Sequence, residues 1–394
     1  MTNDMMEEMW AYVARNCGAD TVKLMLKSEP DLPFDKRFAI MQIECRKKAK
    51  NKIPELLERE RFMFPKAISA EQCTHEQVAK FHASLFAPTD RVLDMTMGLG
   101  VDSYYISQRV AQHKAIELDA DIAAAGAHNY DFEVVNADSV AWLTASDEHF
   151  DAIFIDPARR GDGGARLYGL ADCAPDVLGI MPTIKAHAGR LFIKASPMID
   201  VTQSMRDLAP HLCDVWAVSV KNECKELFFK VDFGTTTTDV ALHAINFEAG
   251  VAQQFSIAAS TLAVEGHYGN PIAGQYLYEP NASVMKIGAY AALCHQQGVA
   301  QIAKNSHLYL SDALIEAFPG RKFLIESVVP FSGKEAKAIG KQYKQMNVAT
   351  RNFRLSPDEL KKRLKLRDGG DHYLFATTLQ SGDQVLLITQ KATE

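Results

Sequence analysis

Between about Asp4 and Phe86, apolar residues recur at roughly helical spacing among charges. Leu24 and Met25 come first, then Phe38, Ile40, Met41 and Ile43, then Leu56 and Leu57. Pro30, Pro33, Pro54 and Pro65 punctuate the pattern. It predicts a helical N-terminal domain over residues 1–87, closed by the Ala87-Pro88 turn. From there the period changes. Short apolar or β-branched runs alternate with helix-like segments. The predicted strands are Arg91–Met95, Lys114–Leu118, Glu133–Asn136, Ala152–Asp156, Arg190–Lys194, Asp214–Val220 and Glu226–Asp232. Helical segments fit between the first six, which predicts a parallel sheet covered by helices on both faces. Only Lys221 to Lys225 separates the last two runs. That gap is too short for a crossover helix, so these two strands are expected to pair antiparallel.

After Thr238 the text is strand-like again at Asp239–Phe247 and Phe255–Ala259, followed by a loop from Gly266 to Asn281 and a helix over Ala282–Gln296. From Ala317 a basic α+β segment runs on, with strands at Lys322–Val329, Tyr373–Leu379 and Gln384–Lys391. The expected division is a helical domain at 1–87, an α/β domain at 88–238, a small α+β domain at 239–320 and a last α+β domain at 321–394.

Composition narrows the picture. Hydrophobic content of 47% and charged content of 23% suit a soluble globular chain. No apolar run approaches the roughly 20 residues that span a bilayer, and the acidic start MTNDMMEEMW lacks the order of a signal peptide. The seven cysteines are scattered without a CxxC pair, which points to a reducing cytoplasm and to neither a disulfide framework nor a metal site. Net charge is −6, but residues 321–394 hold 14 Lys+Arg against 8 Asp+Glu, and Cys45 to Lys52 is a second basic stretch. Each basic run reads either as a solvated helix face or as a nucleic-acid patch.

The candidate chemistry sits at the strand ends. The first strand runs into Asp94-Met-Thr-Met-Gly98-Leu-Gly100, a glycine loop opening a helix. The third glycine of a dinucleotide fingerprint is absent, since Ser103 stands in its place. The added acid suits a cationic ligand better than a pyrophosphate, and S-adenosylmethionine carries both a sulfonium and an ammonium. Glu117 follows Gly98 by 19 residues, the spacing of a ribose-binding acid. Asp119 reads as the cap of the next helix. Asp138 is placed to accept from an adenine amino group, to cap a helix, or both. Asp156-Pro157 ends the fourth strand. In an open α/β sheet, ligands bind outside the carboxyl ends of the strands, and four successive strands here end in Asp94, Glu117, Asp138 and Asp156.

The segments VLDMTMGLGVDS, AIELD, NADS and FIDPARRG resemble the motifs of class I S-adenosylmethionine-dependent methyltransferases. More closely, the chain resembles a bacterial family of such enzymes with a C-terminal THUMP-like domain, over essentially its whole length. The C-terminal part of the likeness rests on layout and on Arg351-Asn-Phe-Arg-Leu-Ser356. The resemblance implies a Rossmann-like seven-stranded sheet between the helical and the C-terminal α+β domains, with a ferredoxin-like fold as one option for 239–320. It implies S-adenosylmethionine as cofactor, held by Asp94, Thr96, Gly98, Gly100, Asp102, Glu117, Leu118, Asp138, Ser139 and Asp156. THUMP domains of related enzymes bind RNA, so it also implies RNA modification, on tRNA or rRNA.

In amino-methylating enzymes the fourth-strand motif reads Asp/Asn-Pro-Pro-Tyr/Phe. Its acid and a carbonyl accept from the target NH₂, and its aromatic ring stacks on the base. Asp156 and Pro157 match, Ala158 replaces the second proline, and Arg159 stands where the ring belongs. A guanidinium plane also stacks on bases. Asp156, Pro157 and Arg159 are therefore the expected catalytic set. DPAR also resembles RNA uracil-5-methyltransferases, which need a nucleophilic cysteine after the fifth strand. The text there is Lys194-Ala-Ser-Pro197, without one, so C5 chemistry is not expected. Lys194 reads as a snorkelling strand-end residue or a phosphate contact. Arg159, Arg160 and Arg166 read either as a solvated basic loop or, given their place at the active edge of the sheet, as phosphate-positioning, on a loop that Gly161, Gly163 and Gly164 let close. Asp232 to Asp239 resembles the phosphate hairpin of actin-like ATPases but is read as a strand connection. Tyr276 and Tyr278 either stack on bases or pack domains. The expected activity is methyl transfer to a nitrogen of an RNA base. The rival readings are a catalytically weak or inactive RNA-binding protein on the same fold, or a protein or small-molecule methyltransferase.

Overall fold

The computed structural model describes residues 2–159 and 169–392, and the chain forms two compact units. The first takes 1–213 and 228–237, the second 214–227 and 238–394.

The first unit begins with helices α1 (Asn3–Arg15), α2 (Thr21–Leu26), α3 (Lys36–Ala49), α4 (Pro54–Leu57), α5 (Ser69–Gln72) and α6 (Glu76–Ser84). Side chains of Thr2, Asp20 and Asp35 accept backbone N–H groups at the starts of α1, α2 and α3. Met9, Trp10, Val13, Ile40 and Ile43 pack α1 on α3. Most of the basic stretch that runs from α3 into the following turn is held by bonds within the helical region. Arg46 donates to the carbonyls of Leu57, Arg59, Glu60 and Phe62. Lys48 pairs with Glu71, and Lys52 donates to the Cys73 carbonyl.

The α/β part follows as β1 (Arg91–Asp94), α7 (Val101–Ser107), β2 (Gln112–Glu117), α8 (Ala120–Asn129), β3 (Glu133–Asn136), α9 (Ser139–Ala145) and β4 (Phe150–Ile155). A two-residue ladder of β5 (Ala158–Arg159) against β6 (Cys173–Ala174) comes next, then α10 (Met181–His187), β7 (Ala188–Ala195) and α11 (Val201–Asp207). Strands β7, β4, β1, β2 and β3 lie side by side in parallel, with the first unit's part of β9 (Glu223–Asp232) beyond β7. The central strands are buried on both faces, which is why Ile153, Phe154, Ile155, Leu191, Phe192 and Ile193 form unbroken apolar runs. Strand order reverses between β1 and β4, which opens a crevice at their carboxyl ends.

β8 (Leu212–Val220) turns into β9 through Lys221 and Asn222, both at positive φ, and the chain passes between its two units within this hairpin. In the second unit β10 (Ala241–Glu248) runs parallel to β8, and β11 (Val251–Ala258) pairs antiparallel with β10. The strand-like text after Thr238 thus extends a sheet beyond the expected seven strands, because β8 has an open edge to pair with.

A second sheet follows. Its elements are β12 (Tyr276–Pro280), α12 (Ala282–Lys286), α13 (Tyr290–Gln297), β13 (Ala300–Gln301), β14 (Tyr309–Ser311), β15 (Gly320–Pro330), α14 (Gly333–Gln342), β16 (Asn347–Arg351), α15 (Pro357–Leu364), β17 (His372–Thr378) and β18 (Gln384–Lys391). Strand order is β13-β14-β12-β15-β18-β17-β16. Leu374, Ala376, Leu386 and Ile388 face Ile339 and Leu360 of the two helices. Alternate residues Phe375, Val385 and Leu387 face the opposite core with Leu277 and Phe323. The expected loop Gly266–Asn281 contains β12, which pairs with β15. The expected single helix over Ala282–Gln296 is broken in two, with Gly288 at positive φ between its halves.

Candidate active site

Asp94 ends β1 and turns its carboxylate into the loop that follows. It accepts the Thr96 N–H at 2.8 Å and the Ser103 hydroxyl at 2.6 Å. The Ser103 hydroxyl in turn lies 2.9 Å from His113 Nε2. Burial pushes the Asp94 carboxyl up to about 7, against the pull of those two hydrogen bonds, and the charges of Asp102 and Asp156 add to the rise. Burial pushes His113 down to about 3. Asp94 is only 1% exposed, so it lies beneath the site rather than in its wall.

The two glycines of the loop serve different ends. Both have positive φ. At Gly98 an added Cβ would meet nothing within 4 Å, so the backbone there borders open space. At Gly100 an added Cβ would come within 2.5 Å of the Tyr130 ring, so this glycine admits a core aromatic, not a ligand. Glu117, at the end of β2, takes the Gly98 N–H and the Asp119 N–H, each at 2.8 Å. Each oxygen keeps a further lone pair for a hydroxyl donor. Asp119 caps α8 and pairs with Lys66. Asp138 caps α9, taking the Val140 and Ala141 N–H groups on one oxygen at 2.9 Å.

These pieces surround one cavity of about 880 Å³. Thr96, Gly98, Gly100, Asp102, Glu117, Leu118, Asp138, Ser139, Asp156 and Pro157 all line it. Leu118 offers a 72% exposed apolar side chain. The Asp156 N–H donates to Thr96 Oγ1 at 2.7 Å, which ties the fourth-strand turn to the first loop. The Arg159 backbone pairs with Cys173 in the short ladder, while its side chain, like Arg160, Gly161, Gly163, Gly164 and Arg166, lies outside the described residues.

Two features of the cavity escape pattern reading. One wall comes from the helical region, as Ile68, Gln72, Cys73 and Thr74. They flank or end the short helix α5, and no motif in the sequence marks them. The other is a buried charge cluster. Lys194 neither snorkels nor reaches outward. Its ammonium donates to Asp156 Oδ2 at 2.6 Å and to Thr74 Oγ1 at 2.8 Å, and lies 3.4 Å from Asp102 Oδ2. Asp102 also accepts from Thr74 and bonds His82 Nδ1 at 2.8 Å. Burial would raise its carboxyl, but the Lys194 charge and the His82 and Thr74 bonds hold it well below the usual range. His82 stacks on Phe228 with ring centroids 4.2 Å apart.

Other candidates lie elsewhere. Tyr278 is fully buried, donates to the Ala313 carbonyl and packs on Phe318, so it stacks on no base. Asp232 accepts the Gly234 N–H in a strand connection. Among the described residues no group of three or more His, Cys, Asp or Glu side chains is placed to hold a metal ion, and no helix is long and apolar enough to cross a membrane.

Comparison with known proteins fits this geometry. A model of the THUMP domain-like family matches residues 320–391, and a ferredoxin-like domain family matches 276–319. A stretch of 135 residues is 30% identical to a 23S rRNA (uracil(1939)-C(5))-methyltransferase of Photobacterium angustum. That match covers 32% of this chain, which spans 61% of that relative's length. A crystal structure from Porphyromonas gingivalis W83, provisionally called a methyltransferase, superposes over 100% of both chains with a TM-score of 0.88 at 28% identity. The tRNA (uracil-54, C5)-methyltransferase of Pyrococcus abyssi matches 39% of this chain and 37% of its own at 17% identity and a TM-score of 0.29, too distant to bear on the argument. The acid-tipped parallel sheet, the whole-length structural match and the two C-terminal domain matches together give the chain the α/β fold of class I S-adenosylmethionine-dependent methyltransferases, followed by ferredoxin-like and THUMP domain-like regions.

Proposed function

We propose that this protein transfers a methyl group from S-adenosylmethionine to a nitrogen of a base in tRNA or rRNA. The observation that carries the reading is the meeting of Glu117, Asp138 and the Asp156-Pro157 turn around one cavity at the strand tips. The cavity lies within the usual size range of small-molecule sites. The donors and acceptors present suit the cofactor. Glu117 has lone pairs for the ribose hydroxyls, Asp138 has a second oxygen for the adenine amino group, and Leu118 presents an apolar surface to a base. When bound, the cofactor supplies an electrophilic methyl group on its sulfonium. The acids in the cavity wall, Asp102, Glu117, Asp138 and Asp156, outnumber its one described lysine, Lys194, which favours such a cation.

Asp156 accepts a hydrogen bond from the target N–H and so orients the nitrogen lone pair. A nitrogen target is favoured because its lone pair needs no covalent activation, whereas uracil C5 does. Lys194-Ala195-Ser196-Pro197 offers no thiol. Cys73 does line the cavity, but burial raises its pKa and its Sγ donates to the Ala70 carbonyl, so it is a protonated thiol rather than a nucleophile.

The test is to incubate the protein with labelled cofactor and total RNA, then digest to nucleosides. Label in an N-methylated nucleoside is the expected result. Label in 5-methyluridine overturns the nitrogen assignment. Label in protein or small molecules alone, or none at all, overturns the RNA methyltransferase reading.

A further inference from the structure

Lys194, at the centre of the buried charge cluster, has no place in the roles assigned so far. Lys194 is the last but one residue of β7 and lines the cavity, where it is 9% exposed. A buried ion pair contributes little to net stability, and an apolar side chain of the same volume often serves as well. Lys194 therefore needs another reason to stand beside the Asp-Pro turn. Its contacts supply one. On one side the ammonium holds Asp156 Oδ2 at 2.6 Å. On the other it meets Thr74 Oγ1 at 2.8 Å and Asp102 Oδ2 at 3.4 Å. Asp102 is fixed from behind by His82 Nδ1 at 2.8 Å and from the side by the Thr74 hydroxyl. The Asp156 side chain is 39% exposed, so packing alone does not fix its rotamer and its polar contacts matter. The chain of contacts runs from the helical region, through Thr74 and His82, to the carboxylate at the proposed reaction centre.

We propose that Lys194 is a positioning residue that fixes the Asp156 carboxylate for the target nitrogen, and that Thr74 and the Asp102–His82 pair set Lys194 in turn. The helical region is then part of the reaction centre and not only a cover for it. This inference rests on the methyl-transfer reading above, and it also makes a structural claim that stands without it.

The test uses two variants of the full chain, Lys194→Met and Thr74→Val, with two measurements. In steady-state methyl transfer at saturating cofactor, Lys194→Met lowers kcat by about 100-fold, the scale of a misplaced catalytic group. KM for RNA and Kd for the cofactor stay within about threefold, because Lys194 is not one of the groups assigned to hold either. Thr74→Val gives a smaller loss, about five- to tenfold, with the same split between kcat and KM. In crystal structures of both variants, the Asp156 carboxylate moves by more than about 0.5 Å from its place. Unchanged kcat in both variants overturns the inference, as does a kcat loss matched by an equal loss of cofactor affinity. If the unaltered protein transfers no methyl group to RNA, the function reading fails by itself. The Asp156 position then decides the inference, with an unmoved carboxylate overturning it. If Lys194→Met does not fold, Thr74→Val carries both measurements.

Discussion

The strand tips of the first unit and the C-terminal sheet of the second both gather charge, but they hold it differently. At the strand tips Asp94, Asp102 and Lys194 are each at most 9% exposed. Every one of them is bonded to a neighbour. In the second unit the charge is mostly on the outside. Lys334, Lys337 and Lys341 of α14 and Lys362 and Arg363 of α15 are exposed, above a core of Ile339, Leu360 and Leu364. A buried exception in the C-terminal sheet, Glu279, is neutralised by Arg321 and Arg351. Buried charge is costly unless tightly partnered, and tight partners fix geometry, as chemistry requires. Exposed charge is screened and adaptable, and it suits long-range attraction to a polyanion.

The sharpest test of this contrast is Asp156→Ala. It should cut methyl transfer to RNA by at least about 100-fold while cofactor Kd, measured by calorimetry, changes little. Loss of cofactor binding in parallel would mean that Asp156 serves the cofactor instead. Glu117→Ala should weaken cofactor binding by about 10- to 100-fold, since a hydrogen-bonded charged acceptor contributes about 1.5–3 kcal/mol. An unchanged Kd would remove Glu117 from the site.

Asp94 makes a pH prediction. Its folded pKa is raised to about 7 from the ordinary 3.8, so its contribution to stability is full below 3.8 and is lost as pH rises through about 7. Asp102 works in the opposite sense. Its carboxyl is depressed, so its contribution is present above 3.8 and is lost as pH falls below that value. Thermal melts of Asp94→Asn should therefore show a flatter dependence than the unaltered protein between about pH 4 and 7. The difference is on the order of a few kcal/mol across the window. Parallel curves would show that Asp94 is ionised throughout.

On the exposed side, reversing Lys337, Lys341 and Lys362 to Glu should lower RNA affinity by about tenfold and reduce the salt slope by about one for each phosphate no longer neutralised. Cofactor Kd should not change. Charge reversal is a cleaner test than removal of everything from Arg321 onward, which would take β15 away from its partner β12 and disrupt the sheet. The smallest effect belongs to Ser356→Ala, which breaks the capping box of α15. It should cost about 1 kcal/mol in a denaturant melt and leave methyl transfer unaltered.

Much of the first unit is legible in the sequence because its strands are local apolar runs with acids at their tips. Glu133–Asn136 matches its strand to the residue, and Glu117 and Asp138 line the cavity as the motif order implies. Short or pairing-dependent strands are not legible. Tyr276–Pro280 and Asn347–Arg351 lack a pattern of their own and become strands only beside β15 and β17. Lys194 reads as a snorkelling residue because its partners are distant in sequence. Asp156 lies 38 residues away, Asp102 lies 92 and Thr74 lies 120.

Periodicity and strand-end acids, then, were enough to determine the parallel sheet and the crevice edge, since each is written in residues close along the chain. Only the tertiary structure decided what Asp94, Gly100 and Lys194 do. Burial under the loop, a Tyr130 ring and a carboxylate pair are supplied by segments that meet through folding alone.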